Sequence, residues 1–137
     1  MLKNVGIKSF ICLFLMQTVE MVQAQEDISL HSTVGLSCYF TGRPTPVMKR
    51  MSKLIQEGSY KTIRSMLWSN DTGETYLAVV TCEVLNEKAM LRLTIDEQQR
   101  IAKLYASDEL WISVCSGCII TEGVVIKKLL SKQNGYG

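Results

Sequence analysis

The first 24 residues constrain this chain more than any other feature. Lys3 and Lys8 give a positive start, Phe10 to Met16 is an unbroken apolar run, and Val22-Gln23-Ala24 closes it with the small-residue spacing of a cleavage site. That order is the pattern of a secretory signal peptide. Gln17 and Glu20 interrupt the apolar stretch, which falls short of the roughly 20 residues that a bilayer-spanning helix needs. Cys12 lies inside the apolar run and no cysteine stands at the cleavage point, which argues against a lipid anchor. The expectation is an exported protein, periplasmic or extracellular and surface-associated. Export sets the redox compartment, and the compartment sets how each later cysteine is read.

The expected mature chain, Gln25 to Gly137, has 113 residues, which suits one domain with a single core. It carries 13 basic and 12 acidic residues. So near-neutral a balance removes the electrostatic case for nucleic acid or an anionic membrane surface. No segment after the leader is long and apolar enough to span a bilayer.

Residues 25–46 read as an irregular or extended lead-in. Thr33 to Phe40 alternates loosely, as a short strand would, until Gly42 and Arg43-Pro44-Thr45-Pro46 break it. Thr45 then suits a helix cap and Pro46 a first helical position. From there residues 47–131 read as a helical domain. Val47, Met48, Met51, Leu54 and Ile55 fall at helical spacing, Gly58 ends that helix, and Tyr60, Ile63, Met66 and Leu67 make a second stripe. Ser69 to Gly73 is a turn cluster. Tyr76 to Cys82 is rich in β-branched residues, yet the stretch runs on to Lys88 with Glu83, Asn86 and Glu87 on one polar stripe, which favours a central buried helix. Thr94-Ile95-Asp96-Glu97 is a capping box that opens a helix through about Ala106. Leu110 to Val114 fits helix or strand equally. Val124 to Leu130 reads as a last short helix, and residues 132–137 as a flexible tail. The fold class expected from these pieces is all-α, with five or six short helices in antiparallel pairs, HEAT-like or an irregular bundle.

Removing the leader takes Cys12 with it and turns five cysteines into four: Cys38, Cys82, Cys115 and Cys118. An even number in a small exported domain points to disulfides, and four cysteines allow three connectivities that spacing does not separate. In the chain-entropy model a Cys115–Cys118 bridge contributes roughly 2 kcal/mol and a Cys38–Cys82 bridge roughly 4 kcal/mol. A bridge from Cys38 to Cys115 or Cys118 closes a longer loop of nearly equal value. Cys115-Ser116-Gly117-Cys118 also admits a redox reading, because Cys-x-x-Cys dithiols exchange disulfides when one thiol has a lowered pKa. Ile119 to Gly123 is a poor helix and no βαβ pattern flanks the motif. A structural bridge is therefore the favoured reading, with thiol–disulfide exchange at Cys115 and Cys118 as the alternative. A single Cys-x-x-Cys is a weak signature for zinc.

The remaining candidates have plain readings. His31, the one histidine, stands in the lead-in far from any nucleophile and suits a solvated surface. Asp96 and Glu97, like Asp108 and Glu109, are explained by the preference for negative charge at a helix start. Lys49, Arg50, Lys53, Lys61 and Arg64 make the first two helices basic, as a solvated face. Asn70-Asp71-Thr72 is a glycosylation sequon on an expected loop. Trp68 and Trp111 are core residues by default, and the residues best suited to anchor a partner if exposed. Nothing in the chain points to a catalytic group, a metal or a cofactor.

Met51-Ser52-Lys53-Leu54-Ile55, Tyr76-Leu77-Ala78-Val79, Leu93-Thr94-Ile95-Asp96-Glu97 and Val114-Cys115-Ser116-Gly117-Cys118 occur in that order. In pattern and order, over residues 38–130, the chain resembles small exported bacterial proteins with a helical-repeat-like domain and a C-terminal Cys-Ser-Gly-Cys, for which no activity is established. The resemblance implies a helix over residues 74–88, no catalytic residue, and no partner for Cys82, which would then be a buried free thiol. The functional expectation is a non-catalytic module of the cell envelope that binds an unidentified protein partner or acts as a scaffold. The alternatives are thiol–disulfide exchange at Cys115 and Cys118, or an envelope immunity or inhibitor protein.

Overall fold

Pro46 begins the first helix, and a backbone bond shows what holds it there. The structure is a computed structural model and describes residues 32–38 and 40–133. The expected leader (residues 1–24), His31 and the last four residues lie outside the described residues. Helix α1 runs Pro46–Gln56 with Pro46 in its first turn and Thr45 at its N-cap. The Thr45 amide donates to the Gly35 carbonyl at 2.9 Å, tying the helix start to the lead-in. Gly58, at φ +66°, takes the left-handed conformation that closes the helix. Helix α2, Tyr60–Ser65, continues into a 3-10 turn over Met66–Trp68 and turns Ile63, Met66 and Leu67 inward.

Helix α3, Thr72–Glu87, is the centre of the molecule, with Tyr76, Leu77, Ala78, Val79, Cys82 and Leu85 buried. Asp71 caps it, accepting from the amides of Gly73 and Glu74 at 2.8 and 3.3 Å. Burial on several sides explains why its apolar run does not show a clean stripe. Helix α4, Ile95–Ala106, starts at the capping box: the Glu97 amide donates to Thr94 Oγ1 and the Thr94 amide to Glu97 Oε2. Both helices stand where their local signals put them.

The all-α expectation is overturned by what surrounds them. Five α-helices among the described residues accompany a three-stranded mixed sheet, so the fold is α/β. Strand β1, Thr33–Val34, pairs parallel with β2, Trp111–Ser116, and β2 pairs antiparallel with β3, Ile119–Val125. The sheet order is β1-β2-β3, with β2 central. The helix expected over Val124 to Leu130 begins only at Ile126, as α5, Ile126–Gln133. Residues 47–131 are therefore not helical throughout, and stacked helix pairs do not describe the fold. Ile112, Val114, Ile119, Ile120, Thr121, Val124 and Val125 are β-branched, a density that suits a pleated surface. Short helical-looking intervals had masked it.

Ile112 of β2 and Ile126 and Leu130 of α5 are fully buried with Ile63, Leu67, Val79 and Leu104. One core thus joins the sheet to the helices. At ~25 cal/mol per Å² of apolar surface, burial of each such side chain contributes about 2 kcal/mol.

Candidate functional site

The hairpin of β2 and β3 carries the chemistry-bearing residues. Ser116 pairs with Ile119, leaving Gly117-Cys118 as a two-residue turn. Gly117 has φ +60°, the left-handed value required at the first central position of a type II′ hairpin turn. The segment after β1 runs alongside the turn: the Gly117 amide donates to the Ser37 carbonyl at 2.7 Å, and Cys38 bridges to Gly117. On its other side the Cys38 amide donates to Arg43 at 2.9 Å.

That parallel register lays Cys38 beside Cys115, and the two form a disulfide with Cα atoms 5.6 Å apart and a sequence separation of 77. This is one of the pairings left open by spacing, and the local Cys115–Cys118 bridge is not formed. The reason is strand pairing. It brings a distant cysteine to Cys115 and leaves Cys118 out on the turn. Cys38 is 0% and Cys115 7% exposed, so the bond is enclosed. Gly35 makes the enclosure possible, since a Cβ there would collide with Cys38 Sγ and the Cys115 carbonyl. Cys118 is an exposed free thiol, while Cys82 is free and buried in α3. Burial pushes the Cys82 thiol up to about 11, with a further push from Glu97.

Strand β3 is one edge of the sheet, and β1 is the other. One side of β3 pairs with β2; the other meets no strand among the described residues. Ile119 and Ile120 are 70% and 44% exposed on it. Its one charge is Glu122, beside Gly123 (φ +67°) in a bulge opposite Ser113. Natural edge strands are usually guarded by several charges, prolines or burial. Leu36 and Phe40, on the segment next to the turn, are exposed as well. The partner candidates named from sequence lie elsewhere: Trp68 is half exposed on the 3-10 turn, and Trp111 is 41% exposed at the far end of β2, opposite Val125. They do not form one patch with Ile119 and Ile120. Sequence reading missed the two isoleucines, although Gly-Cys flanked by β-branched runs was a legible hairpin signal.

Two concave regions flank these elements. An apolar one of about 460 Å³ lies between the sheet and the helices, lined by Val34, Met48, Tyr76, Val80, Val114 and Cys115 among others. A second, of about 490 Å³, lies between α3 and α4. There the Tyr105 hydroxyl donates to Glu83 Oε2 at 2.8 Å. Burial pushes Glu83 above the usual carboxylate range, against the opposing pull of the Tyr105 hydrogen bond. The basic residues of α1 and α2 are partly neutralised: Arg50 pairs with Glu74, Lys53 with Glu57 and Arg64 with Glu97.

Among the described residues, no group of three or more His, Cys, Asp or Glu side chains is placed to hold a metal ion. Nor is any described helix long and apolar enough to cross a membrane. Compared with known proteins, the chain matches no family model, no curated protein and no solved structure.

Proposed function

We propose that this chain is an exported, non-catalytic binding module that takes an extended segment of a partner protein by strand addition at β3. The observation that carries the reading is the outer side of that strand, which meets no other strand among the described residues and exposes Ile119 and Ile120. An added strand gains main-chain hydrogen bonds along the edge, and alternate side chains supply selectivity. The matching segment is extended, apolar or β-branched, and without proline. The enclosed Cys38–Cys115 bond supports placement in an oxidising compartment, in keeping with the leader read from the sequence.

The Ser116–Ile119 pair closes the hairpin, so the alternation of an antiparallel ladder turns the Ile120 amide away from β2. Ile120→Pro therefore removes an outward donor and spares the hairpin, whereas Ile120→Val keeps both. Peptides selected on the immobilised protein from a displayed random library are expected to lose about tenfold in affinity for I120P and to hold it for I120V. Selected peptides that bind I120P unchanged would overturn strand addition.

A further inference from the structure

Three cysteines meet at one end of the sheet, and they differ in access. Cys38 and Cys115 are bonded and largely buried, which hinders an outside thiolate from attacking either sulfur. Cys118 is exposed and reduced. It stands three residues from Cys115, the spacing at which Cys-x-x-Cys dithiols close on themselves. It also follows Gly117, the residue whose amide is bonded to Ser37 beside Cys38. The fourth thiol, Cys82, is held in α3 and protonated by burial, so it does not compete.

We infer that Cys118, Cys115 and Cys38 form a thiol–disulfide exchange site that accepts two electrons from a substrate carrying paired thiols. The Cys118 thiolate attacks Cys115 Sγ; the Cys115–Cys118 bond forms as the Cys38–Cys115 bond breaks, and Cys38 leaves as a thiolate and takes a proton. The disulfide now lies on the exposed turn. A substrate thiolate attacks Cys118 Sγ and releases Cys115, giving a mixed disulfide. The substrate's second thiolate then attacks its own bonded sulfur and releases Cys118. One substrate dithiol becomes a disulfide, and the Cys38–Cys115 disulfide becomes two thiols holding the two protons lost by the substrate. The reaction is stoichiometric and requires no other oxidant, so it sits with a binding role that has no turnover. It rests on the three cysteines alone and does not depend on strand addition at β3.

The test uses the oxidised full chain with two probes, dithiothreitol as a small dithiol and an unstructured peptide with two cysteines as a polypeptide. Loss of the Cys38–Cys115 bond is followed by quenched alkylation and peptide mapping. The wild-type chain is expected to react at least about tenfold faster than Cys118→Ser with one or both probes, and to show a Cys115–Cys118 species before reduction is complete. A rate advantage with the peptide alone assigns a polypeptide substrate; an equal advantage with both assigns any accessible dithiol. Cys82→Ser, if folded by circular dichroism, is expected to react like wild type. Equal rates for wild type and C118S with both probes, with no Cys115–Cys118 species, would overturn the inference and leave a structural bond. Cys118→Ser also separates the two readings: it is expected to lose the rate advantage and to hold the peptides selected at β3 with wild-type affinity.

Discussion

Arg64 on α2 and Glu97 at the start of α4 form a two-pronged ion pair, with Nε 2.5 Å from Oε1 and Nη2 2.9 Å from Oε2. Glu97 is 6% exposed and also closes the capping box with Thr94. One carboxylate thus serves a local purpose, starting a helix, and a distant one, joining it to a residue of another helix 33 positions away in sequence. Arg64→Ala strands a buried carboxylate and is expected to cost about 3 kcal/mol. Glu97→Gln keeps the capping geometry and a neutral hydrogen bond, and is expected to cost about 1 kcal/mol. Urea unfolding of the two variants measures the asymmetry.

The same pair sets an acid response. Burial alone would raise the Glu97 pKa, but hydrogen bonds from Arg64 and Thr94 outweigh it and hold the carboxyl below the usual range. The unfolded chain therefore binds a proton at higher pH than the folded one. The stabilisation is complete above about pH 4.3, the ordinary glutamate value, and drains away as pH falls through the lower folded value. Stability against pH is expected to fall less steeply in this acid range for E97Q than for wild type.

Asp71 does double work at the other end of the core. Besides capping α3, its carboxylate accepts from the Ser32 amide at 3.0 Å and from the Ser32 hydroxyl. Asp71→Ala is expected to lose about 1 kcal/mol for the cap and to expose the lead-in near Ser32 to proteases. Asp71→Asn, which keeps an acceptor, is expected to lose less on both counts. Denaturant midpoints and limited proteolysis read the two effects separately.

Native alkylation distinguishes the free thiols. Cys118 is expected to react in the folded protein, and Cys82, held protonated near 11, only after unfolding. Ionisation of Cys82 in the unfolded chain then draws stability down as pH rises above about 8.5. Mass spectrometry of the labelled peptides scores each site.

The Cys38–Cys115 bond closes a loop of 77 residues' separation. In the chain-entropy model its loss costs about 4 kcal/mol. Cys38→Ser is expected to lower the urea midpoint accordingly. Gly35→Ala, whose Cβ would press on Cys38 Sγ, is expected to impair formation of the bond, scored by free-thiol content.

Sequence reading worked where a few neighbouring residues decide the outcome. Thr94 and Glu97 satisfy each other's backbone within one turn, so their signature reads the same in any fold. Pro46 and Gly58 act through their own backbone angles, and the length of the Tyr76–Lys88 stretch sorted it from a strand. Reading failed at Val124–Leu130, where a strand passes into a helix at Ile126 without a break in the apolar pattern. At Leu110–Val114 the pattern permitted either state, and pairing with β1 and β3 made it a strand.

By itself, then, the sequence determined the helix starts at Pro46 and Ile95, the apolar content of one core, and the candidate cysteines Cys38, Cys82, Cys115 and Cys118. Only the tertiary structure decided that Thr33–Val34 pairs with Ser113–Val114, that Cys38 reaches Cys115 rather than Cys82 or Cys118, and that β3 pairs with β2 alone among the described residues. The physical reason is range. A cap closes its hydrogen bonds within four residues, whereas a strand or a disulfide takes its partner from wherever core packing delivers it.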